Sequence, residues 1–184
     1  MNKVSGKKSD FSLIREERSR IVIGYGQKKV TGQNLYEWYE VYLNKTETPQ
    51  LTLQMVKDAI NGDINAQTDE KILSGFVWTP AGLEQGINVW LSAENQRNFS
   101  EAQRMAEKYG DAVLPLRFKL GEDEEGNPVY HTFETVADLD DFYVKAFSYV
   151  NQTLSAGWAE KDAIDWTPYE ALFPAQEQTN AESE

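Results

Sequence analysis

The 184-residue chain contains no cysteine and a single histidine. Without cysteine there are no disulfide staples, thiolate metal centres or cysteine nucleophiles. With one histidine, His131, there is no His-rich ligand set, and nothing close to it in sequence completes a Ser-His-Asp arrangement. No apolar run is long enough for a transmembrane helix. The opening MNKVSGKKSDFSLIREERSR lacks the hydrophobic segment and small-residue cleavage site of a secretory signal, so synthesis in the cytoplasm without a membrane span is expected. Positive charge is scarce as well: 18 Lys and Arg stand against 30 Asp and Glu, a formal charge of -12. The deficit is uneven, because residues 1–30 hold eight Lys/Arg and three Asp/Glu, leaving ten against twenty-seven for the rest. An acidic body repels a phosphate backbone, which disfavours duplex nucleic acid as a partner of the main surface.

What is present is apolar and aromatic. Hydrophobic residues make up 40% of the chain, with five Trp, nine Tyr and eight Phe, and this length supports one sizeable core. Three segments are expected: a basic flexible arm over 1–19, a single α+β domain over 20–173, and an acidic disordered tail, PAQEQTNAESE, over 174–184. Strand signals run over Arg20–Gly26 and Asn34–Leu43. In the second, alternation places Tyr36, Trp38, Glu40 and Tyr42 on one face, expected to be a partly exposed aromatic surface. Thr52 caps a helix built on Leu53, Val56, Ile60 and Ile64, with Gly62 weakening its last turn and a polar junction over Thr68–Lys71.

Strands over Ile72–Trp78 and Ile87–Leu91 then precede a helix capped by Ser92 and stopped by Gly110. A hairpin follows, Val113–Leu120 and Asn127–Phe133 about the turn GEDEEG. A long helix starts at Thr135, and Gly157 ends or loosens it before a piece that folds back to bury Trp158, Ile164, Trp166 and Phe173. The order predicts α+β, a mostly antiparallel sheet covered by about three helices, with the arm and tail extending from it.

The chemistry-bearing patterns are few. The GEDEEG acids lack the ligand spacing of a calcium loop, and Gly24 and Gly26 lack the third glycine of a dinucleotide turn. No catalytic, cofactor or metal residues are assigned. A carboxylate-based hydrolase of glycan or cell wall requires two carboxylates across one cleft, which sequence alone does not display. Tyr and Trp combine apolar area with a polar handle, so Tyr36, Trp38, Tyr42, Tyr109, Tyr143 and Tyr149 are the candidate interface residues. Trp90, Ser92, Asn95, Gln96 and Asn98 form a candidate structural corner, where the amides can hydrogen-bond across a strand-to-helix junction.

The segments EWYEVYLNK (37–45), TDEKILSGFVW (68–78), VWLSAENQRNF (89–99), LPLRFKLGED (114–123), VYHTF (129–133), DFY (141–143) and the stretch from Trp158 through KDAIDW (161–166) together resemble phage- and prophage-encoded proteins of Bacteroides-type hosts. They are also similar to the DUF4376 family of tail-fibre and tail-assembly contexts. The resemblance spans roughly residues 35–166 and carries no catalytic residues. It implies a non-enzymatic structural or virion-assembly protein, associated with tail or tail fibre, that is made in the host cytoplasm, joins the virion and binds other phage proteins or copies of itself. A tail-fibre assembly chaperone absent from the finished virion is the alternative. On this reading, removal of residues 2–19 leaves the body folded and weakens assembly.

Overall fold

The run Arg20-Ile-Val-Ile-Gly-Tyr is β-branched and apolar, and it seeds the longest strand of the protein. The computed structural model describes residues 2–48 and 50–173. Its first sheet has strands β1 (Asn2–Gly6), β2 (Ile14–Glu16), β3 (Arg20–Lys29) and β4 (Tyr36–Asn44), antiparallel throughout in the order β1-β4-β3-β2. Helix α1 (Leu53–Ser74) follows, then β5 (Phe76–Trp78), β6 (Ile87–Val89), α2 (Ala93–Tyr109), β7 (Leu116–Glu122), β8 (Pro128–Phe133), α3 (Val136–Asp162) and the short α4 (Thr167–Glu170). The class is α+β. The acidic tail expected at 174–184 lies outside the described residues.

The chain divides into two units, one of residues up to Ala66 together with those from Ala159, the other Gln67–Trp158. This replaces the single domain expected over 20–173. In the first unit, Ile21, Ile23 and Tyr25 of β3 bury against Val56, Ile60 and Ile64 of α1, with Tyr39, Val41 and Leu43 of β4 on the same face. Ile164, Trp166 and Phe173 join this core, and Tyr169 is buried with its hydroxyl donating to Gly24 O at 2.6 Å. Burial of that phenol pushes its pKa up to about 12.

The opposite face of β4 departs from expectation, and so does the arm. Residues 2–6 and 14–16 form both edge strands of the sheet, the segment between them lies over Trp38, and Arg15 of β2 reaches Glu40. Phe11 meets the Trp38 ring edge-on at 5.9 Å, and Trp38 is 2% exposed. Arg15 grips Glu40 with two guanidinium hydrogen bonds, 2.7 and 3.0 Å, while Trp38 Nε1 and the Tyr42 hydroxyl donate to the same carboxylate at 3.1 and 3.2 Å. Glu40 is 5% exposed, so the face read as open is closed by the N-terminal segment. Gly24 lets that segment approach: its amide donates to Leu13 O at 3.0 Å, and a Cβ there would sit 2.4 Å from Ser12 O. The basic residues of the expected arm are therefore spent partly on ion pairs within the sheet, including Lys3 to Glu37 and Arg15 to Glu40.

In the second unit the aromatic residues converge on Phe142 of α3. Trp78, Phe99 and Phe133 lie with ring centroids 4.9, 4.8 and 5.1 Å from it, with Leu91, Leu120 and Leu139 completing a buried cluster. β5 pairs with β6 and β7 with β8, and Trp90 N donates to Leu120 O at 2.8 Å, tying the two hairpins together. Two helices run past their expected ends. α1 passes through Gly62 and the polar junction to Ser74, burying Ile72, so the strand expected from Ile72 starts only at Phe76. Gly75 makes the turn, with φ +80 and a Cβ position only 1.9 Å from Val89 O. α3 continues through Gly157, whose missing side chain admits Thr68 (Oγ1 2.3 Å from a built Cβ). Trp158, expected in the core, is 56% exposed.

Arg15→Ala strands a buried carboxylate. A loss of about 2–4 kcal/mol is expected, read as a lower urea midpoint. Arg15 first, then Trp38 and Tyr42, hold the Glu40 pKa below its usual 4.5 against the opposing effect of burial. A depressed carboxylate stabilises the fold above the unfolded-state value and loses that contribution as pH falls through the folded value. Wild-type stability is thus expected to decline below about pH 4.5, more steeply than that of Glu40→Gln. Deletion of residues 2–19 is expected to unfold the first unit.

Candidate functional site

Helices α2 and α3 cross over the second core without filling the space between them. Leu91 and Phe99 form the floor, and Tyr143, Ala146, Phe147, Val150 and Leu154 of α3 form one wall. The resulting open groove has a volume of about 590 Å³, and its polar lining comes from Gln96, Arg97, Ser100 and Asn151. Phe147 is 57% exposed and lies beside the Tyr143 ring, centroids 6.3 Å apart. Val144, on the same helix, is also exposed. This is a concave apolar surface with one cation at its rim, a composition suited to binding another chain.

The strand-to-helix corner fixes one wall of that groove. The Ser92 hydroxyl accepts from Asn95 N at 3.2 Å, the Asn95 side-chain amide donates to Trp90 O at 3.0 Å, and Gln96 donates to Leu91 O at 2.7 Å. Two orphaned carbonyls at the end of a strand are thereby satisfied by the first turn of the following helix. Trp90 is at the surface with Lys119 over its ring at 5.0 Å, and Asn98 is exposed and takes no part in the corner. At this junction the side chains of Ser92, Asn95 and Gln96 make the hydrogen bonds, and that of Trp90 does not.

Of the candidate interface aromatics, Tyr36, Trp38 and Tyr42 belong to the first unit and Tyr109, Tyr143 and Tyr149 to the second. Trp38 is removed from the set because Phe11 and the Glu40 cluster bury it. Tyr42 is half-buried, its hydroxyl on Glu40 and Arg20 over its ring at 4.2 Å. Tyr149 is also turned inward, stacking on Phe76 at 5.5 Å and donating to Lys71 O at 2.8 Å. Tyr143 lines the groove, Tyr36 is half-buried on β4, and Tyr109 is exposed at the end of α2 with Lys108 at 4.9 Å from its ring. Phe147 has no signal of its own in the sequence, and Val150, at helical spacing on the apolar side of α3, reads there as core; together they shape the groove.

The sequence also did not pair His131. Its Nε2 lies 2.9 Å from Asp138 Oδ2, seven residues on, because β8 leads straight into the capped start of α3. Trp78 meets the imidazole edge-on at 4.8 Å and donates from Nε1 to Asp141 Oδ2 at 3.2 Å. Lys145 and then Trp78 hold Asp141 below the usual carboxylate value. Thr135, the one hydroxyl lining the adjacent pocket, is engaged as the cap of α3 through Asp138 N. Among the described residues no group of three or more His, Cys, Asp or Glu is placed to hold a metal ion, and no helix is long and apolar enough to cross a membrane.

Ser92→Ala removes the cap of α2 and is expected to cost about 1 kcal/mol, measured by thermal or urea unfolding, while Asn98→Ala is expected to leave stability within about 0.5 kcal/mol.

Comparison of the chain with models of protein families, with curated proteins and with solved structures finds no match.

Proposed function

We propose that the protein is a non-enzymatic structural or assembly component of a phage particle, tail or tail-fibre associated, acting by protein–protein contact. The observation that supports this most is the apolar groove between α2 and α3, with Phe147 standing exposed in its wall and Arg97 at its rim. Its occupant on this reading is an apolar segment of a neighbouring phage protein carrying a carboxylate that meets Arg97. Burial of Phe147 and its neighbours supplies the association energy, and the single cation sets direction. The resemblance of residues 35–166 to phage proteins supplies the setting.

A photo-crosslinking amino acid at position 147, incorporated during infection, tests this. The expected outcome is a crosslink to one phage structural protein, weakened in Arg97→Glu. Crosslinks scattered over host proteins, or an adduct unchanged by Arg97→Glu, count against the groove as the contact.

A further inference from the structure

The first sheet ends in a cluster of unpaired cations. Across β4, Tyr36 lies between Gly6 of β1 and Lys29 of β3, and Glu37 lies between Ser5 and Lys28. Lys7 and Lys8 follow Gly6 directly, and Gln27 Nε2 donates to Lys8 O at 3.3 Å, which holds this turn beside the end of β3. Lys7, Lys8, Lys28 and Lys29 are exposed, and none makes a side-chain ion pair among the described residues. Leu35, 39% exposed, and half-buried Tyr36 sit between them. The sheet therefore presents an apolar tip ringed by lysines, in a protein of net charge -12.

The second unit carries the converse surface. Val77, Leu83, Ile87 and Val129 lie in a groove of about 820 Å³ between the β5–β6 connection and the β7–β8 turn. Val77 is 69% exposed and Leu83 55%, so this apolar area is uncovered. Carboxylates rim it. Asp123 is occupied within its turn by Asn127 and Glu125, and Glu122 by Lys119, which leaves Glu84, Glu124 and Glu125 exposed without an ion pair among the described residues. The second unit as a whole has seven Lys/Arg against fifteen Asp/Glu.

We propose that copies of this chain associate head to tail, the Leu35–Tyr36 tip of one copy seating in the Val77–Leu83 groove of the next, with Lys7, Lys8, Lys28 and Lys29 facing Glu84, Glu124 and Glu125. The occupant is a second copy because the chain itself bears both halves of the match, apolar centre against apolar centre and lysine rim against carboxylate rim. A nucleic acid would satisfy the lysines and leave Leu35 without a partner. The two contacting surfaces differ, so the contact is heterologous and propagates into a ring or a filament, the geometry of a repeated particle component. Exposed ion pairs are individually weak and screened by salt, so the association is concentration-dependent and salt-sensitive. The inference names a partner within the structural reading given above, but through other surfaces than the α2–α3 groove.

Sedimentation velocity of the full chain over a concentration series, at low salt and at about 1 M salt, tests it. Oligomers larger than a dimer are expected at low salt and their loss at high salt. The variants Lys7→Glu/Lys28→Glu/Lys29→Glu and Glu84→Lys/Glu124→Lys/Glu125→Lys, checked for folding by circular dichroism, are each expected to weaken self-association by about tenfold or more. Mixed together, they keep one wild-type contact and set the reversed tip of one against the reversed groove of the other, where opposite charges again face each other, so oligomers larger than a dimer are expected to return. Leu35→Asp is expected to act like the lysine variant. A chain monomeric at low salt, association unchanged in either triple variant, a mixture that stays monomeric, or lysine-dependent retention on duplex DNA in place of self-association would overturn the proposal. A monomeric chain that still crosslinks from position 147 to a phage structural protein would overturn this contact alone and leave the functional reading standing.

Discussion

The first unit depends on one buried carboxylate. Glu40 sits in the middle of β4 at 5% exposure, and a charge there is tolerable only if paired and fully hydrogen-bonded. Arg15 supplies the charge, and Trp38 and Tyr42 supply the remaining donors, all four groups meeting on one face of the sheet. For Arg15 to reach Glu40, the segment from Lys7 to Ile14 has to lie across that face, and Gly24 has to be small enough to let it. The N-terminal residues thereby become both edges of the sheet. The four lysines at the tip are brought together by the same placement, since Lys7 and Lys8 are held beside Lys28 and Lys29 by the chain path that Arg15 secures.

The second unit is organised around Phe142, with three large rings in contact and α2 and α3 laid over the hairpins. Its surface features follow from how the ends of strands are finished. Asn95 and Gln96 satisfy carbonyls at the end of β6 and so fix where α2 starts, which determines how far its side chains stand from Phe147 and Val150 across the groove. At the other hairpin, Asp123 closes the β7–β8 turn on its own amides, and the remaining carboxylates of that turn are left to face outward. Rigid positioning of exposed apolar residues lowers the entropy lost on docking.

Local signals in the sequence were read well where capping, pattern and turn chemistry agreed. Thr52, Ser92 and Thr135 all cap helices, Gly110 ends α2, and GEDEEG turns the last hairpin. The failures share a different cause. Gly62 and Gly157 look like helix breakers, yet both helices run through them: buried Ile60 and Ile64 flank the first, and Thr68 packs against the second, where a side chain would collide. The arm reads as flexible because its composition is charged and polar, but Arg15 and Phe11 find partners at positions 40 and 38 that only the sheet register reveals. The same blindness applied to sites. Trp38 reads in the sequence as an interface residue and is buried, whereas Phe147 and the tip at Leu35 gain meaning only from what surrounds them. His131 stands out in the sequence as the single histidine, but its meeting with Asp138 requires the β8 to α3 junction to be in place.

A structural role in a particle makes a quantitative demand that a transient helper or an enzyme does not. The most direct measurement is absolute mass spectrometry of this chain in purified phage particles, normalised to a structural protein of known copy number. The account predicts a fixed, repeatable copy number that persists through density-gradient purification. Absence from finished particles, despite strong expression in infected cells, would contradict it.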